Sequence, residues 1–111
     1  MNVGICIRLQ DGLWQEQLRH ATANGIHHCQ LVGWLPEYWN DEMAETIKRE
    51  FAAANMEITA FWCGWVGPKK WNFTEGPETL GIVPVTYRHV RIQNLLSGAA
   101  FARKLGLKDV I

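Results

Sequence analysis

The chain has 111 residues, a length that suits one small domain, and 48% of them are hydrophobic, which predicts a globular core and excludes a disordered chain. Lys plus Arg and Asp plus Glu both number 11, so no net charge steers the protein toward nucleic acid or an anionic membrane. The three cysteines, Cys6, Cys29 and Cys63, are odd in number and form no C-x-x-C, so they read as reduced, buried and inert thiols of a cytoplasmic protein.

Val3 to Ile7 (VGICI) is a short apolar run of the kind found in strands buried on both faces. Because it begins so early, no signal peptide is expected ahead of it. Asp11 and Gly12 interrupt it, and a helix is predicted over Leu13–Asn24, where Trp14, Leu18 and Ala21 make one apolar stripe. Gly25 suits the left-handed stop of that helix. A second strand is predicted over His28–Val32. Asn40 or Asp41 can cap the next helix, which runs to Ala54 with Met43, Ile47 and Phe51 on one side. Glu57 to Cys63 is the third strand, rich in β-branched and aromatic residues. An irregular stretch over 64–86 follows, marked by Gly67-Pro68, Gly76-Pro77, Gly81 and Pro84. The third helix is predicted over Tyr87–Leu105, with Ile92, Leu95, Ala99 and Ala102 facing inward, and Leu107–Ile111 opens a fourth strand. No apolar run approaches the roughly 20 residues that a membrane helix needs.

A weak internal repeat joins helix ends to strand starts: Ala23-Asn24-Gly25-Ile26, Ala54-Asn55-Met56 and Lys104-Leu105-Gly106-Leu107. Such short turns imply βαβ crossovers and parallel strands. An open nucleotide-binding sheet would carry a G-x-G-x-x-G after its first strand, whereas the turn here reads Arg8-Leu9-Gln10-Asp11-Gly12. The expected fold is therefore a partial (β/α)8 TIM barrel, strand–helix–strand–helix–strand–helix–strand over residues 1–111 as an incomplete domain, since a full barrel takes about 250 residues.

In a barrel the functional face is built by the loops that follow the strands. Trp34, Trp39, Trp62, Trp65 and Trp71 all fall at strand ends or in those loops. Indole faces stack on the apolar faces of sugars, and together these residues predict a pocket. Gln30 alternates with Cys29 and Leu31; if those two face the helices, it points into the barrel, where it could bond a substrate hydroxyl or be a satisfied core residue. Arg88 and Arg91 fall in the predicted first turn of the third helix, against its dipole. Either an anionic ligand group or a carboxylate such as Glu78 is expected to compensate them. His20, His27, His28 and His89 have no metal-site spacing and read as surface or structural residues. Gly64-Trp65-Val66-Gly67 followed by Lys69-Lys70 faintly resembles nucleic-acid-clamping loops, and the neutral charge argues against that.

The chain resembles the N-terminal portion of the sugar phosphate isomerases and epimerases of the xylose-isomerase-like barrel superfamily. Ala23-Asn24-Gly25-Ile26-His27-His28-Cys29-Gln30-Leu31 is similar to the family's "elGfdgVEL" pattern. Trp71, Gly76-Pro77-x-Thr79-x-Gly81-Ile82-Val83-Pro84, Tyr87-Arg88-x-x-Arg91 and Phe101-Ala102-x-x-Leu105-Gly106 are similar to its "W…GPxTxGLVP" loop and following helix. The resemblance implies a divalent-metal-dependent enzyme (Mn, Mg, Co or Zn) that moves a proton next to a sugar carbonyl, with carboxylates as acid and base. The family's metal-binding Glu, Asp and His residues come from later strands, so no catalytic residue and no metal ligand is expected in this chain, and the chain alone is expected to be inactive. The family's usual Glu on the second strand is Gln30 here, which puts an ionic or proton-transfer role at that position in doubt. The expected substrate-binding residues are Gln30, Trp34, Trp62, Trp71 and Arg88, and the expected partner is a sugar or sugar phosphate, with no nucleic acid and no membrane. Two alternatives stand beside this. A DNA-repair endonuclease of the same superfamily would want His where Trp62-Cys63-Gly64 stands. A non-catalytic piece would associate through its open strand edges.

Overall fold

A computed structural model describes residues 2–111. Three strands, β1 (Gly4–Arg8), β2 (His28–Val32) and β3 (Glu57–Trp62), pair in parallel in the order β1-β2-β3. Helices α1 (Leu13–Ala23) and α2 (Asp41–Ala53) make the crossovers. After β3 come a one-turn helix, α3 (Gly76–Thr79), and a long helix, α4 (Val85–Lys104). The last residues return alongside β3: Phe61 forms a parallel bridge with Val110, its N–H donates to the Asp109 carbonyl at 3.0 Å, and Ile111 donates back to Phe61 at 2.9 Å. No helix among the described residues is long and apolar enough to cross a membrane.

The three helix-to-strand turns share one hydrogen-bond pattern. Ile26, Met56 and Leu107 each donate to the carbonyl five residues back, on Ala21, Phe51 and Ala102, at 3.0, 2.9 and 2.9 Å. The residue before each donor has positive φ: Gly25 at 70°, Asn55 at 49° and Gly106 at 77°. This is the left-handed helix stop that satisfies terminal carbonyls. The faint sequence repeat is thus a structural repeat, and it lands each following strand in the same direction.

The core lies between the sheet and the helices. Ile7, Leu31 and Phe61 face outward from the barrel side and meet Trp14, Leu18 and Ala21 of α1, Ala44, Ile47 and Phe51 of α2, and Phe101 and Ala102 of α4. Trp14 stacks on Phe51 with centroids 5.8 Å apart, joining α1 to α2. Asn40 caps α2, its side chain accepting from Met43 N–H at 2.9 Å.

Several sequence expectations are corrected. The 64–86 stretch contains a helical turn, α3, and α4 begins at Val85 rather than Tyr87. Of the inward set expected in α4 only Ala102 is buried; Ile92 and Leu95 are each 38% exposed, and Ala99 is exposed. The buried face is instead Arg91, Gly98, Phe101 and Ala102. The reason is that α4 is apolar on more than one side, so periodicity alone cannot select the stripe that meets the sheet. Gly98 selects it: an added Cβ there would stand 2.5 Å from Cys63 Cβ, so only a glycine lets the helix lie this close to the end of β3.

Candidate functional site

Parallel pairing puts residues of equal height side by side on the concave face of the sheet. One row is Cys6, Gln30 and Ala60, and the next, at the carboxyl tips, is Arg8, Val32 and Trp62. Cys29 and Leu31 are buried on the helix side, so Gln30 does point to the concave face. There it lines a cavity of about 540 Å³ with Cys6, His28, Glu57 and Thr59, below the tips.

At the tips themselves lies a cleft of about 260 Å³, lined by Cys6, Arg8, Leu9, Gln10, Val32, Trp34, Leu35 and Trp62. Two of the expected binding residues, Trp34 and Trp62, therefore share it. Their rings meet edge-on at 5.6 Å, and Trp65 and Trp71 close the group: Trp34–Trp65 5.3 Å, Trp65–Trp71 5.6 Å, Trp62–Trp71 6.4 Å. Lys69 Nζ sits 5.0 Å from the Trp34 ring centroid, a cation–π contact on the same wall. Gly64 makes this packing possible. Its φ of +62° suits glycine, and a Cβ there would lie 2.5 Å from the Trp34 ring. The indole N–H groups of Trp34 and Trp65 are buried and bond nothing among the described residues, whereas Trp39 donates to the Gly33 carbonyl at 3.1 Å and belongs to the packing.

Arg8 was not expected at the site. Its side chain is exposed, lines the cleft and pairs with no carboxylate among the described residues. The available signal was a single basic residue ending the run Val3-Gly4-Ile5-Cys6-Ile7. Arg88 lies elsewhere, donating from Nε to the Ile82 carbonyl (2.9 Å) and from Nη2 to Val83 (2.8 Å). Arg91 is in the second turn of α4, 1% exposed, and is also held by carbonyl oxygens. Glu78 pairs with neither arginine among the described residues; backbone oxygens of the preceding loop accept from both. Burial lowers the Arg91 pKa from its ordinary value. Charge-assisted bonds, typically about 1.5–3 kcal/mol each, offset that desolvation.

Cys29 and Cys63 are buried, but Cys6 is exposed on the concave face, which corrects the expectation of three buried thiols. Burial, with a smaller contribution from Cys6, pushes the Cys29 thiol up to about 12. Burial raises Cys63 as well. The thiolate is the reactive form. A thiol reagent at pH 8 should therefore label Cys6 rapidly and leave Cys29 and Cys63 untouched until denaturant is added. Mass spectrometry of the peptides checks this, and early labelling of Cys29 would contradict the burial. Among the described residues no group of three or more His, Cys, Asp or Glu side chains could hold a metal ion. The residues present do not fit a metal centre; what they form is an aromatic wall at the strand tips.

Parallel strands, helical crossovers and a cleft at the carboxyl tips define the class: an α/β chain with the fold of a partial TIM barrel. The chain superposes on the crystal structure of a xylose isomerase domain protein from Planctomyces limnophilus with a TM-score of 0.88, at 21% identity, over 97% of this chain and 39% of that one. It thus spans well under half the length of that neighbour. No protein-family model matches the sequence, and no curated protein matches it.

Proposed function

We propose that this chain forms part of the substrate-binding mouth of a sugar or sugar phosphate isomerase or epimerase, an enzyme that transfers a proton beside a sugar carbonyl. The observation that supports the reading is the cleft at the strand tips, walled by Trp34 and Trp62 and edged by Arg8. Indole faces match the C–H faces of a sugar, and Trp34 and Trp62 both line the cleft. Arg8 supplies a fork for a phosphate or carboxylate. Gln30 stands one row beneath with an amide for a hydroxyl. The divalent metal and the acid–base carboxylates would come from strands outside this chain, so the chain alone turns over no sugar. A cytoplasmic setting belongs to the same proposal.

Titration of indole fluorescence with D-fructose and D-fructose 6-phosphate tests the reading. Both should quench saturably, the phosphate more tightly, and Trp62→Ala should weaken both by about fivefold, as expected for a stacking contact of about 1 kcal/mol. Arg8→Gln should abolish the preference for the phosphate. Absence of saturable quenching by either sugar would sink the proposal.

A second reading, association through an open flank, is favoured by one observation. α4 exposes Ile92, Leu95 and Leu96, the last 58% exposed. Unpaired strand edges and apolar stripes of this kind invite pairing. Sedimentation velocity should show concentration-dependent dimers or larger species, and a monomer at all concentrations would exclude it.

A further inference from the structure

We propose that Arg91 is a positioning residue that holds the aromatic wall of the cleft in place, acting through the 64–84 loop and Trp65. This rests on the reading of the tryptophan cleft as a binding wall. Arg91 is the one charged side chain buried among the described residues, at 1% exposure, and it faces no carboxylate. Its four hydrogen bonds all go to the loop. Nε bonds the Val66 carbonyl at 3.0 Å and Nη2 bonds Pro68 at 2.9 Å, both on the outgoing limb. Nη1 bonds Thr79 at 2.8 Å and Gly81 at 2.6 Å on the returning limb. One planar cation therefore ties the two limbs of the loop together, something a lysine ammonium cannot do with the same fixed fork.

The faces of the guanidinium are occupied too. Its carbon lies 4.8 Å from the Tyr87 centroid and 5.8 Å from that of Trp65. Trp65 in turn touches Trp34 and Trp71, so the position of Arg91 is passed directly to the cleft wall. The same helix adds outer ties: Arg88 to Ile82 and Val83, and Asn94 Nδ2 to the Gly64 carbonyl at 3.3 Å. Packing alone would not explain the choice of residue. A buried apolar side chain would fill the space at less desolvation cost but would leave the four carbonyls without these donors.

The test is near-ultraviolet circular dichroism of the full chain, where coupled indoles give a signal, together with hydrogen exchange of residues 64–84. Arg91→Ala should lose most of the near-ultraviolet signal and speed exchange in the loop at least tenfold, with the far-ultraviolet spectrum unchanged. Millimolar guanidinium, far below denaturing levels, should restore the signal, and equimolar urea should not. Arg91→Lys should behave like Arg91→Ala without rescue. Unchanged spectra and exchange in Arg91→Ala would overturn the proposal, as would equal rescue by urea. Loss of the far-ultraviolet signal in both variants would also overturn it, because Arg91 would then support the fold and not the loop. No sugar enters these measurements. A wall that follows Arg91 but binds no sugar would therefore reject the sugar reading and leave the positioning role standing.

Discussion

Phe61→Ala should destabilise the chain by about 3–5 kcal/mol, the cost of removing a fully buried aromatic ring and leaving part of its volume empty. Phe61 has no exposed surface. Its ring meets Phe101 of α4 at 5.3 Å and Trp39 at 5.8 Å, both edge-on, so it joins the sheet, the longest helix and the segment after β2. Its backbone is paired on both sides, with Leu31 of β2 and with residues 109–111. Small domains have only about 5–15 kcal/mol of net stability. A loss of this size should bring the urea midpoint close to zero or abolish cooperative unfolding. A change below about 1 kcal/mol would mean that Phe61 is not where the layers meet.

Gly98 gives the second large effect, with a sign opposite to the usual one. Replacing a mid-helix glycine by alanine normally stabilises by about 1 kcal/mol. Here the added Cβ would stand 2.5 Å from Cys63 Cβ and 2.8 Å from its Sγ. Overpacking typically costs about 1–3 kcal/mol, which outweighs the propensity gain, so Gly98→Ala should be net destabilising and Gly98→Val more so. Ser97→Ala, at an exposed position next to it, should be neutral or slightly stabilising. Urea unfolding of the three variants checks the order. If Gly98→Ala unfolded at a higher urea concentration than the parent, the close approach of α4 to β3 would be wrong.

Much of the fold was legible because local signals agreed with the tertiary outcome. The stripe Trp14, Leu18, Ala21 is the buried face of α1, and Asn40 is the cap of α2. The turns at Gly25, Asn55 and Gly106 could be read as helix stops because glycine and asparagine tolerate positive φ. The face of α4 was not legible from period alone, since Ile92, Leu95 and Leu96 compete with Gly98 and Phe101 for the inner side. The informative residues were the ones that break helix rules: a glycine in mid-helix and an arginine between apolar neighbours.

The same division holds at the site. Tryptophans at strand ends could be recognised as a cluster, because in parallel strands all those ends gather on one face. Arg8 was overlooked because a charged residue after an apolar run reads as a strand stop. Arg88 and Arg91 were read as cations against a helix dipole. Their partners are backbone carbonyls, which carry no sequence signature, and only the path of the 64–84 loop reveals them.

The placement of every residue discussed depends on β1, β2 and β3 running the same way, with Arg8, Val32 and Trp62 level at one end. Inter-strand nuclear Overhauser effects between backbone protons measure this directly. The account predicts contacts linking Gly4 with His28 and Arg8 with Val32, and likewise His28 with Glu57 and Val32 with Trp62. Contacts linking Gly4 with Val32, or Val32 with Glu57, would reverse a strand, scatter the tryptophans to opposite ends and leave no common cleft.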